Sequence, residues 1–412
     1  MTIDGRLVNV LILTALAGLF SNTVYLSMAA IAARRFLVRR RRRRQLLPTE
    51  LGLTRISVLK PVHGSEPKLE ECLESFFRQN HSDFELIFGA RGPDDPAVET
   101  IERLRTRYAG VPAKMVFSGD PHYPNAKVSA LEQMVATASA RLLVIADSDV
   151  RVEPDYLTEV VSPLLDPANG VVTCLYRGVA AGGWWSALEA LGMSAEMSSG
   201  VLVADMLEGM RFALGPTMAV RREVLEGIGG VGVLGAYHSD DYVLGQRAHE
   251  AGYHVVLSHH VIEHVAVNRS LRESLRHHLR WMRTTRFSRP AGHLGAVFTF
   301  ATPFGIVGFI AAMASGRPKL ATALLVWSLA KSLLQCVAIG WGVVRDRAAI
   351  ARCLVYPFHD LLGFAAWCGS FFGSAIVWRG EVYDLEADGR MRPRTAGTSA
   401  RGVAGPARRE AL

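Results

Sequence analysis

The sequence predicts an α/β domain built on a parallel sheet and joined to α-helical membrane segments. Three observations predict it. Short strands and helices alternate over residues 55–147. Long apolar runs occupy 7–33 and most of the chain after 290. A strand-like stretch, LLVIADSDV at 142–150, runs from apolar residues straight into two carboxylates. Alternating strands and helices give a parallel sheet, and such a sheet collects ligands at the carboxyl ends of its strands.

The membrane segments come first in the chain. Residues 7–33 carry no charge over 27 positions, and about 20 apolar residues span a hydrocarbon core. A cleaved signal peptide does not fit, because the positive charge follows the run and the run is too long. The flank RRFLVRRRRRR (34–44) holds eight arginines. By the positive-inside rule it places residue 45 onward in the cytosol, and it can also hold anionic head groups. The net charge of +8 owes much to this cluster and gives no reason to invoke nucleic acid. Five cysteines without CxxC spacing argue against a disulfide framework or zinc site and suit a reducing compartment.

The α/β part is expected over 46–290. Its strands are RISVLKP (55–61), FELIFGA (84–90), AKMVFSG (113–119) and RLLVIAD (141–147), with helices over 67–80, 97–109 and 126–139 between them. Asp94, Asp95, Asp147 and Asp149 fall just past strand ends and are expected to share one crevice. Residues 1–45 are the first membrane helix and its flank. Residues 291–380 hold three further apolar stretches, 291–316, 320–344 and 353–378. A basic linker (345–352) and a basic tail (381–412, read as disordered) both belong on the cytosolic side. One of the three stretches is therefore expected to be re-entrant or interfacial, either 291–316 with Pro303 or 353–378 with His359 and Asp360.

Two carboxylates one residue apart, Asp147 and Asp149, can share a hard divalent cation whose shell is completed by substrate phosphates. Acidic pairs are also common on solvated loops, so the position at the end of an apolar strand carries the weight. GPDDPA (92–97) reads as a turn or as a second acidic contribution. In HSDDYVLG (238–245), Asp240 and Asp241 open a helix, and one carboxylate suffices for capping or the helix dipole. LRHHLRWMRTTR (275–286) sets Arg276, Arg280, Arg283 and Arg286 on one helical face beside Trp281. That face suits phosphate, or a basic helix lying on the membrane surface.

Taken in order, these pieces resemble the membrane-bound family 2 glycosyltransferases, most closely the ceramide glucosyltransferase group. That group is known for a D…D…D…(Q/R)xxRW signature on a GT-A fold. Asp95, Asp147 and Asp241 match the three aspartates, and His277-His278-Leu279-Arg280-Trp281 matches the last element, with His277 where Gln or Arg is usual. LKPVHG (59–64), NAKVSAL (125–131), DSDVRVEPDYL (147–157) and WRGEVYDL (378–385) extend the resemblance over nearly the whole chain. VTCLYRG (172–178) and RHHLRW look nearest to the bacterial hopanoid-biosynthesis branch.

The resemblance implies an inverting transfer of one sugar, glucose or N-acetylglucosamine, from a UDP-sugar to a membrane lipid hydroxyl. The lipid would be ceramide or a hopanoid alcohol such as bacteriohopanetetrol, and the setting a multi-pass protein of the bacterial inner membrane. It implies Mg²⁺ or Mn²⁺ on Asp149 and Asp147, neutralising the leaving diphosphate. Asp95, with Asp94 beside it, would contact the uridine, and Lys127 the diphosphate or uracil. Asp241 would be the general base. Asp240, His277, Arg280 and Trp281 would line the diphosphate and acceptor mouth.

Other readings of the same residues remain. A processive polysaccharide synthase would carry more spans. A non-catalytic membrane protein could bind anionic lipid through its arginines. A cation transporter could use Lys331, an intramembrane charge, with Asp360 as its partner. His254, His259, His260 and His264 cluster in GYHVVLSHHVIEH and read as satisfied or exposed histidines, or as a zinc site.

Overall fold

The computed structural model describes residues 5–43, 54–378 and 380–394. An eight-stranded sheet organises the middle of the chain. Its strands are β1 (Ile56–Pro61), β2 (Phe84–Ala90), β3 (Ala113–Phe117), β4 (Leu142–Ala146), β5 (Val150–Arg151), β6 (Asn169–Ala180), β7 (Thr217–Arg221) and β8 (His254–Ala266). Their spatial order is β3-β2-β1-β4-β7-β6-β8-β5.

The four strands read from the sequence are present, and they pair in parallel as β3-β2-β1-β4. The helices between them are Leu69–Phe77, Pro96–Arg107 and Ala126–Thr137. All of β2 and β4 is buried, and β1 is buried up to its last residue. Such continuous apolar strands need cover on both faces, which parallel crossovers supply. Fully burying a side chain such as Phe76 or Phe88 contributes about 1.5–3 kcal/mol each.

The expectation of a wholly parallel sheet needs correction. β4 pairs antiparallel with β7, β7 antiparallel with β6, and β5 antiparallel with β8, while β6 and β8 are parallel. Strand–helix alternation dictates direction only where one crossover joins neighbouring strands, and it stops at β4. The second half of the sheet is assembled from strands distant in sequence.

Among the described residues, two helices are long and apolar enough to cross a membrane, Gly5–Arg41 and Pro318–Trp341. A third unit is a bent pair, Pro290–Thr299 and Thr302–Ala314, at 51°. The bend has a visible cause. Asp360 accepts hydrogen bonds from the backbone N–H of Ala301 (3.0 Å) and Thr302 (2.6 Å), which satisfies donors a fresh helix start leaves open. Ser332 Oγ lies 3.3 Å from the same oxygen. Lys331 is therefore not the partner of Asp360. Residues 353–378 do not form one long helix either. They break into a short turn, the helix Tyr356–Ser370 and a strand, β9 (Ala375–Trp378).

The tail also differs from expectation. β9 pairs antiparallel with β10 (Glu381–Leu385), and β10 with β11 (Met391–Pro393). Ile376, Tyr383, Leu385 and Met391 form a small core there with Phe287 against it. Residues 381–394 are thus ordered, and 395–412 lie outside the described residues. The sheet docks on the segment before Asp240, where Met391 N donates to Ala236 O at 2.7 Å. Arg283 and Arg286 hold it by donating to carbonyls of Phe372, Ala375, Ser370 and Gly373. Two of the four arginines read as a lipid-facing stripe are therefore fasteners.

One close approach sets the seat of the helix Gly183–Gly192 against β6. A methyl group on Gly178 of β6 would lie 2.3 Å from Ala190 Cα and O in that helix. Only glycine lets the helix sit so close to the strand. Gly178→Ala is expected to cost about 1–3 kcal/mol through overpacking, read as a lowered melting temperature of the detergent-solubilised protein. An unchanged melting temperature would show that the helix can move away freely.

Candidate functional site

The carboxyl edge of β1, β2 and β4 gathers most of the residues singled out. Asp95 follows β2 and N-caps the helix Pro96–Arg107 by accepting from Ala97 N at 2.9 Å. The same oxygen accepts from Gly64 N at 2.9 Å, in the loop after β1, and His63 Nδ1 lies 3.5 Å from the other. The β1 loop reaches the β4 end as well, because Ser148 Oγ donates to Glu66 Oε2 at 2.5 Å. The loop thus ties Asp95 to the segment Asp147–Asp149. Asp94, by contrast, is exposed and makes none of these contacts.

Lys127 is the centre of the edge. Its Nζ lies 2.8 Å from Asp147 Oδ1 and 3.2 Å from Asp240 Oδ2. It stands at the start of the helix Ala126–Thr137, whose N-cap Asn125 accepts from Lys127 N at 3.1 Å. Asn125 Nδ2 donates to Tyr237 O (2.8 Å) and to Asp240 Oδ1 (3.2 Å). One side-chain amide therefore locks the lysine's helix to the helix Asp240–Glu250. Burial opposes the charge on Lys127, but Asp147 and Asp240 outweigh it and hold its pKa above the ordinary lysine value. Lys60, at the end of β1, donates to the Asp147 carbonyl oxygen and lies 3.8 Å from the centre of the Phe76 ring. Burial brings its pKa down to about 8, against the raising influence of nearby acids.

The two strand-end carboxylates have been pulled apart electrostatically. Burial raises the pKa of Asp147, and Asp149 adds to it although Lys127 opposes. For Asp149, burial is outweighed by His264, whose Nε2 lies 3.0 Å from Asp149 Oδ2, and its pKa is lowered. His264 enters through the antiparallel pairing of Val150 with His264. Among the four clustered histidines, it is the one that reaches this site.

Asp240 is committed to Lys127 and Asn125. Asp241 has no ion pair among the described residues. Burial first, then Asp240, pushes its pKa up to about 7. A methyl group on Gly215 would lie 3.1 Å from Asp241 Oδ2, so glycine leaves the carboxylate room. The arrangement supplies a group poised to exchange a proton near neutrality.

A second cluster adjoins the first. Glu189, 1% exposed, lies 3.2 Å from His277 Nδ1 and 3.3 Å from His278 Nδ1. It also accepts from Asn268 Nδ2 (3.0 Å) and Ser274 Oγ (3.3 Å). Burial opposes its charge, but the histidines prevail and bring its pKa down to about 2. His277 and Trp281 have ring centres 4.3 Å apart. Arg280 is largely buried, which lowers its pKa from the ordinary arginine value, and it forms no ion pair among the described residues.

The clusters share neighbours. Tyr176 is buried within electrostatic reach of Asp241, Glu189, Asp149 and Asp147. His238 is in reach of Arg280, His277 and Lys127, and burial brings its pKa down to about 3. The structure therefore brings together Asp147, Asp149, Lys127, Asp240, Asp241, His277, Arg280 and Trp281. It adds Lys60, His264, Glu189, Tyr176 and His238, which sequence reasoning missed as site residues. A lone lysine in an apolar strand and a lone glutamate in GWWSALEALG were the signals available for Lys60 and Glu189.

The site can be tested for a divalent cation. Asp149 Oδ1 is buried with no hydrogen-bond partner, and Asp147 is partly open, with 30% of its side chain exposed. No group of three or more His, Cys, Asp or Glu able to hold a metal occurs among the described residues. The chain thus offers a two-carboxylate half-shell, which suits a cation completed by phosphate and water oxygens.

A family profile described as glycosyl transferase family 21 matches residues 10–391. Ceramide glucosyltransferase 1 of Caenorhabditis elegans is 27% identical over 50% of this chain and 44% of its own length. Ceramide glucosyltransferase 3 of the same organism is 23% identical over 83% of this chain and 75% of its own length. The match thus spans less than half of the first relative and three quarters of the second. Among solved structures, a mannosyltransferase from Pyrobaculum calidifontis in complex with GDP-Man and Mn²⁺ covers 88% of this chain and 99% of its own, with 18% identity and a TM-score of 0.49.

Removing the central cation tests the geometry without any substrate. Lys127→Met leaves Asp240, buried, and Asp147, half-buried, without their counter-charge, at a cost of about 3 kcal/mol. The orphaned carboxyls then take up protons more readily than in the unfolded chain. The loss is therefore expected to be large at pH 8 and smaller at pH 5. Melting curves of wild type and variant at the two pH values check this, and a loss independent of pH would contradict the assigned pairing.

Proposed function

The chain belongs to glycosyl transferase family 21, and on that footing we propose that its sheet domain is a GT-A domain and that it is an inverting glycosyltransferase moving a single hexose from a UDP-sugar to a membrane lipid hydroxyl. The hexose is glucose or N-acetylglucosamine, and the acceptor is ceramide or a hopanoid alcohol such as bacteriohopanetetrol. The observation that carries the reading is Asp241. It is a half-buried carboxyl with no ion pair among the described residues, its pKa pushed up to about 7 by desolvation and by Asp240, and it stands close to the lysine that holds the strand-end carboxylate.

In this proposal Asp147 and Asp149 hold Mg²⁺ or Mn²⁺. The bound cation supplies neutralising charge for the diphosphate as it leaves. Asp95, already fixed between the β1 and β2 loops, contacts the nucleoside side of the donor, with Asp94 at its outer rim. Lys127 presents positive charge to the diphosphate. Arg280, half-buried and without an ion pair among the described residues, supplies a second cation, which suits a phosphate oxygen pair. Asp241 accepts the proton of the acceptor hydroxyl as that oxygen attacks the anomeric carbon. No second nucleophile is needed, so the displacement is single and the anomeric centre inverts. Asp240 fixes Lys127, while His277 and Trp281 form the acceptor mouth, where an indole suits a sugar face or lipid edge.

The membrane helices bring the acceptor. Gly5–Arg41 and Pro318–Trp341 are apolar enough to span, and the arginine flank sets the sheet domain, residues 46–290, in the cytosol. On this reading 291–380 is the second membrane part of a multi-pass bacterial inner-membrane protein. A processive polysaccharide synthase is the alternative within the enzyme class, and it would extend its product beyond one sugar. A non-catalytic binder of anionic lipid is the alternative outside it.

Purified protein in detergent with Mg²⁺, a mixed lipid extract and either UDP-glucose or UDP-N-acetylglucosamine is the direct test. UDP release is expected from one donor, with Asp241→Asn reducing it roughly 10²–10⁴-fold. Because Asp241 must be ionised to act, kcat/KM should rise with pH through about 7 and lose that limb in the variant. Release from neither donor, or release unchanged in Asp241→Asn, would favour the binding protein over the enzyme.

A further inference from the structure

The helix Tyr356–Ser370 is built inside out. Its buried face carries polar groups. His359 Nε2 lies 3.3 Å from His278 Nε2, Asp360 caps Ala301 and Thr302, and Ser370 Oγ lies 3.0 Å from His293 Nε2. Its outer face is apolar. Leu354, Phe358, Leu361, Ala365, Cys368 and Phe372 follow one another at steps of four, three, four, three and four, which keeps them on one side of a helix. Phe358 and Ala365 are exposed, and Leu361 and Cys368 are half-buried. Leu354 and Phe372, in the turns at the two ends, are 80% and 76% exposed. Asp360, on the buried face, is the only Asp, Glu, Lys or Arg over residues 353–374. A helix that faces water has the opposite pattern, apolar residues in and polar residues out.

Both ends of this helix are tied to the sheet domain. Before it, Val343 and Val344 belong to the same buried cluster as β1, β2 and β4. After it, Arg283 and Arg286 hold the carbonyls of Ser370, Phe372 and Ala375, and β9 leads into the small sheet docked on Ala236. Its 15 residues are about 22 Å long, short of the roughly 30 Å of a hydrocarbon core. A helix that starts and ends on one side of a bilayer, and is too short to cross it, lies along the boundary. On its inner side Asp360 meets Ser332 of the apolar helix Pro318–Trp341, which itself exposes Val326 and Leu334. Trp185 extends the outer patch, with its ring centre 6.2 Å from that of Phe358 and the exposed Trp184 beside it. Tryptophan is favoured at the boundary between membrane and water.

We propose that this stripe is a lipid-contact surface, and that the helix lies in the plane of the leaflet nearer the sheet domain, with the stripe against the acyl chains and without crossing. The stripe has no charge to hold a headgroup, so its occupant is hydrocarbon. The inward polar groups are what such a placement requires, because a polar residue beside lipid must find its partner within the protein. The placement also sets a height. The helix Leu271–Ser288 stacks on the inner face through His278. The helix bearing His277 and Trp281 thus stands one interhelical spacing, about 8–10 Å, from the lipid-contact helix. The proposal rests on the reading that Gly5–Arg41 and Pro318–Trp341 cross the bilayer, and it adds a third helix that does not.

The test is nitroxide accessibility on the full chain in vesicles of phosphatidylcholine and phosphatidylglycerol. Cys72, Cys174 and Cys336 are buried, while Cys353 and Cys368 are half-buried. Cys353→Ser therefore leaves Cys368 as a native label site on the stripe. With Cys368→Ser added, single labels are placed by Phe358→Cys, Ala365→Cys and Phe372→Cys. Leu13→Cys in the first apolar helix and Phe117→Cys in β3, both exposed, serve as references. Relaxation by oxygen, which concentrates in lipid, is compared with relaxation by a water-soluble nickel chelate. The stripe is expected to match Leu13, with oxygen the stronger relaxer, and Phe358 and Phe372 are expected at nearly the same depth. An upright helix would separate those two by roughly 20 Å, and such a gradient would overturn the in-plane placement. Nickel dominance, as at Phe117, would overturn lipid contact. Loss of access to both reagents would place a second copy of the chain on the stripe and overturn it equally. If the introduced cysteines disturb folding, the native Cys368 label decides between lipid, water and a second copy. Nickel dominance at Leu13 would sink the spanning reading itself, whereas Leu13 in lipid with the stripe in water sinks only this proposal.

Discussion

The arrangement depends on one ammonium group. Lys127 stands between Asp147, at the end of β4, and Asp240, at the start of the helix Asp240–Glu250. Opposite charges about 4 Å apart attract by roughly 4 kcal/mol at an effective dielectric of 20, and the contacts here are closer, 2.8 and 3.2 Å. Without the cation the two carboxylates would repel each other across the same gap. The sheet edge and the helix that delivers Asp241 are therefore held in register by a charge. The consequence for chemistry is a division of labour between neighbours. Asp240 is committed to the pairing, and Asp241 is left half-buried beside it, with its proton affinity raised by desolvation first and then by that same neighbour. The surplus carboxylate in SDDY is thus explained by structure: one acid builds and the other remains available.

A similar division separates Asp147 from Asp149. Both end the same strand, but Lys127 claims one and His264 the other. Each keeps capacity to accept: Asp149 Oδ1 is buried without a hydrogen-bond partner, and Asp147 is partly open. A pair with no countercharges would hold protons rather than a cation. A pair fully consumed by salt bridges could not bind one. Flanking cations that take one oxygen each keep the carboxylates ionised and still leave donors for a ligand.

The sequence made the local parts of this legible and the non-local parts illegible. LLVIADSDV announced β4 and its acids because burial on both faces and a sudden pair of charges are visible within nine residues. The helices before and after β2 could be placed from apolar spacing alone. His264 could not be placed, because its approach to Asp149 needs β5 and β8 to pair across more than a hundred residues. Glu189 looked like an isolated acid in an apolar helix, and only the fold shows two donors, Asn268 and Ser274, and two histidines, His277 and His278, closing on it. The same limit misassigned the C-terminus. Residues 381–394 are charge-rich and turn-rich, and they become strands only because Tyr383, Leu385 and Met391 find Ile376 and Phe287 to pack on. Asp94 illustrates the opposite failure, since DDP gives two equal candidates and only the second caps the helix.

The membrane part and the site are not independent bodies joined by loops. Starting from Glu189, contacts run to His278, from His278 Nε2 to His359 Nε2 at 3.3 Å, and from His359 Nδ1 to Glu196 Oε2 at 3.4 Å. Ser199 then donates to the Glu196 carbonyl, receives Gln335 Nε2 at 3.0 Å, and lies 2.9 Å from Tyr25 OH. Tyr25 is on the first apolar helix and Gln335 on the second. A polar group in an apolar bundle must find a partner or bear several kcal/mol, so each link restricts where its neighbour can sit. The chain of contacts reaches from two membrane helices to the helix bearing His277, Arg280 and Trp281. The position of that helix relative to the two apolar helices is thereby set by buried polar contacts. On the proposed function, a lipid acceptor would present its hydroxyl at a fixed depth, and a mouth anchored in this way would meet it there.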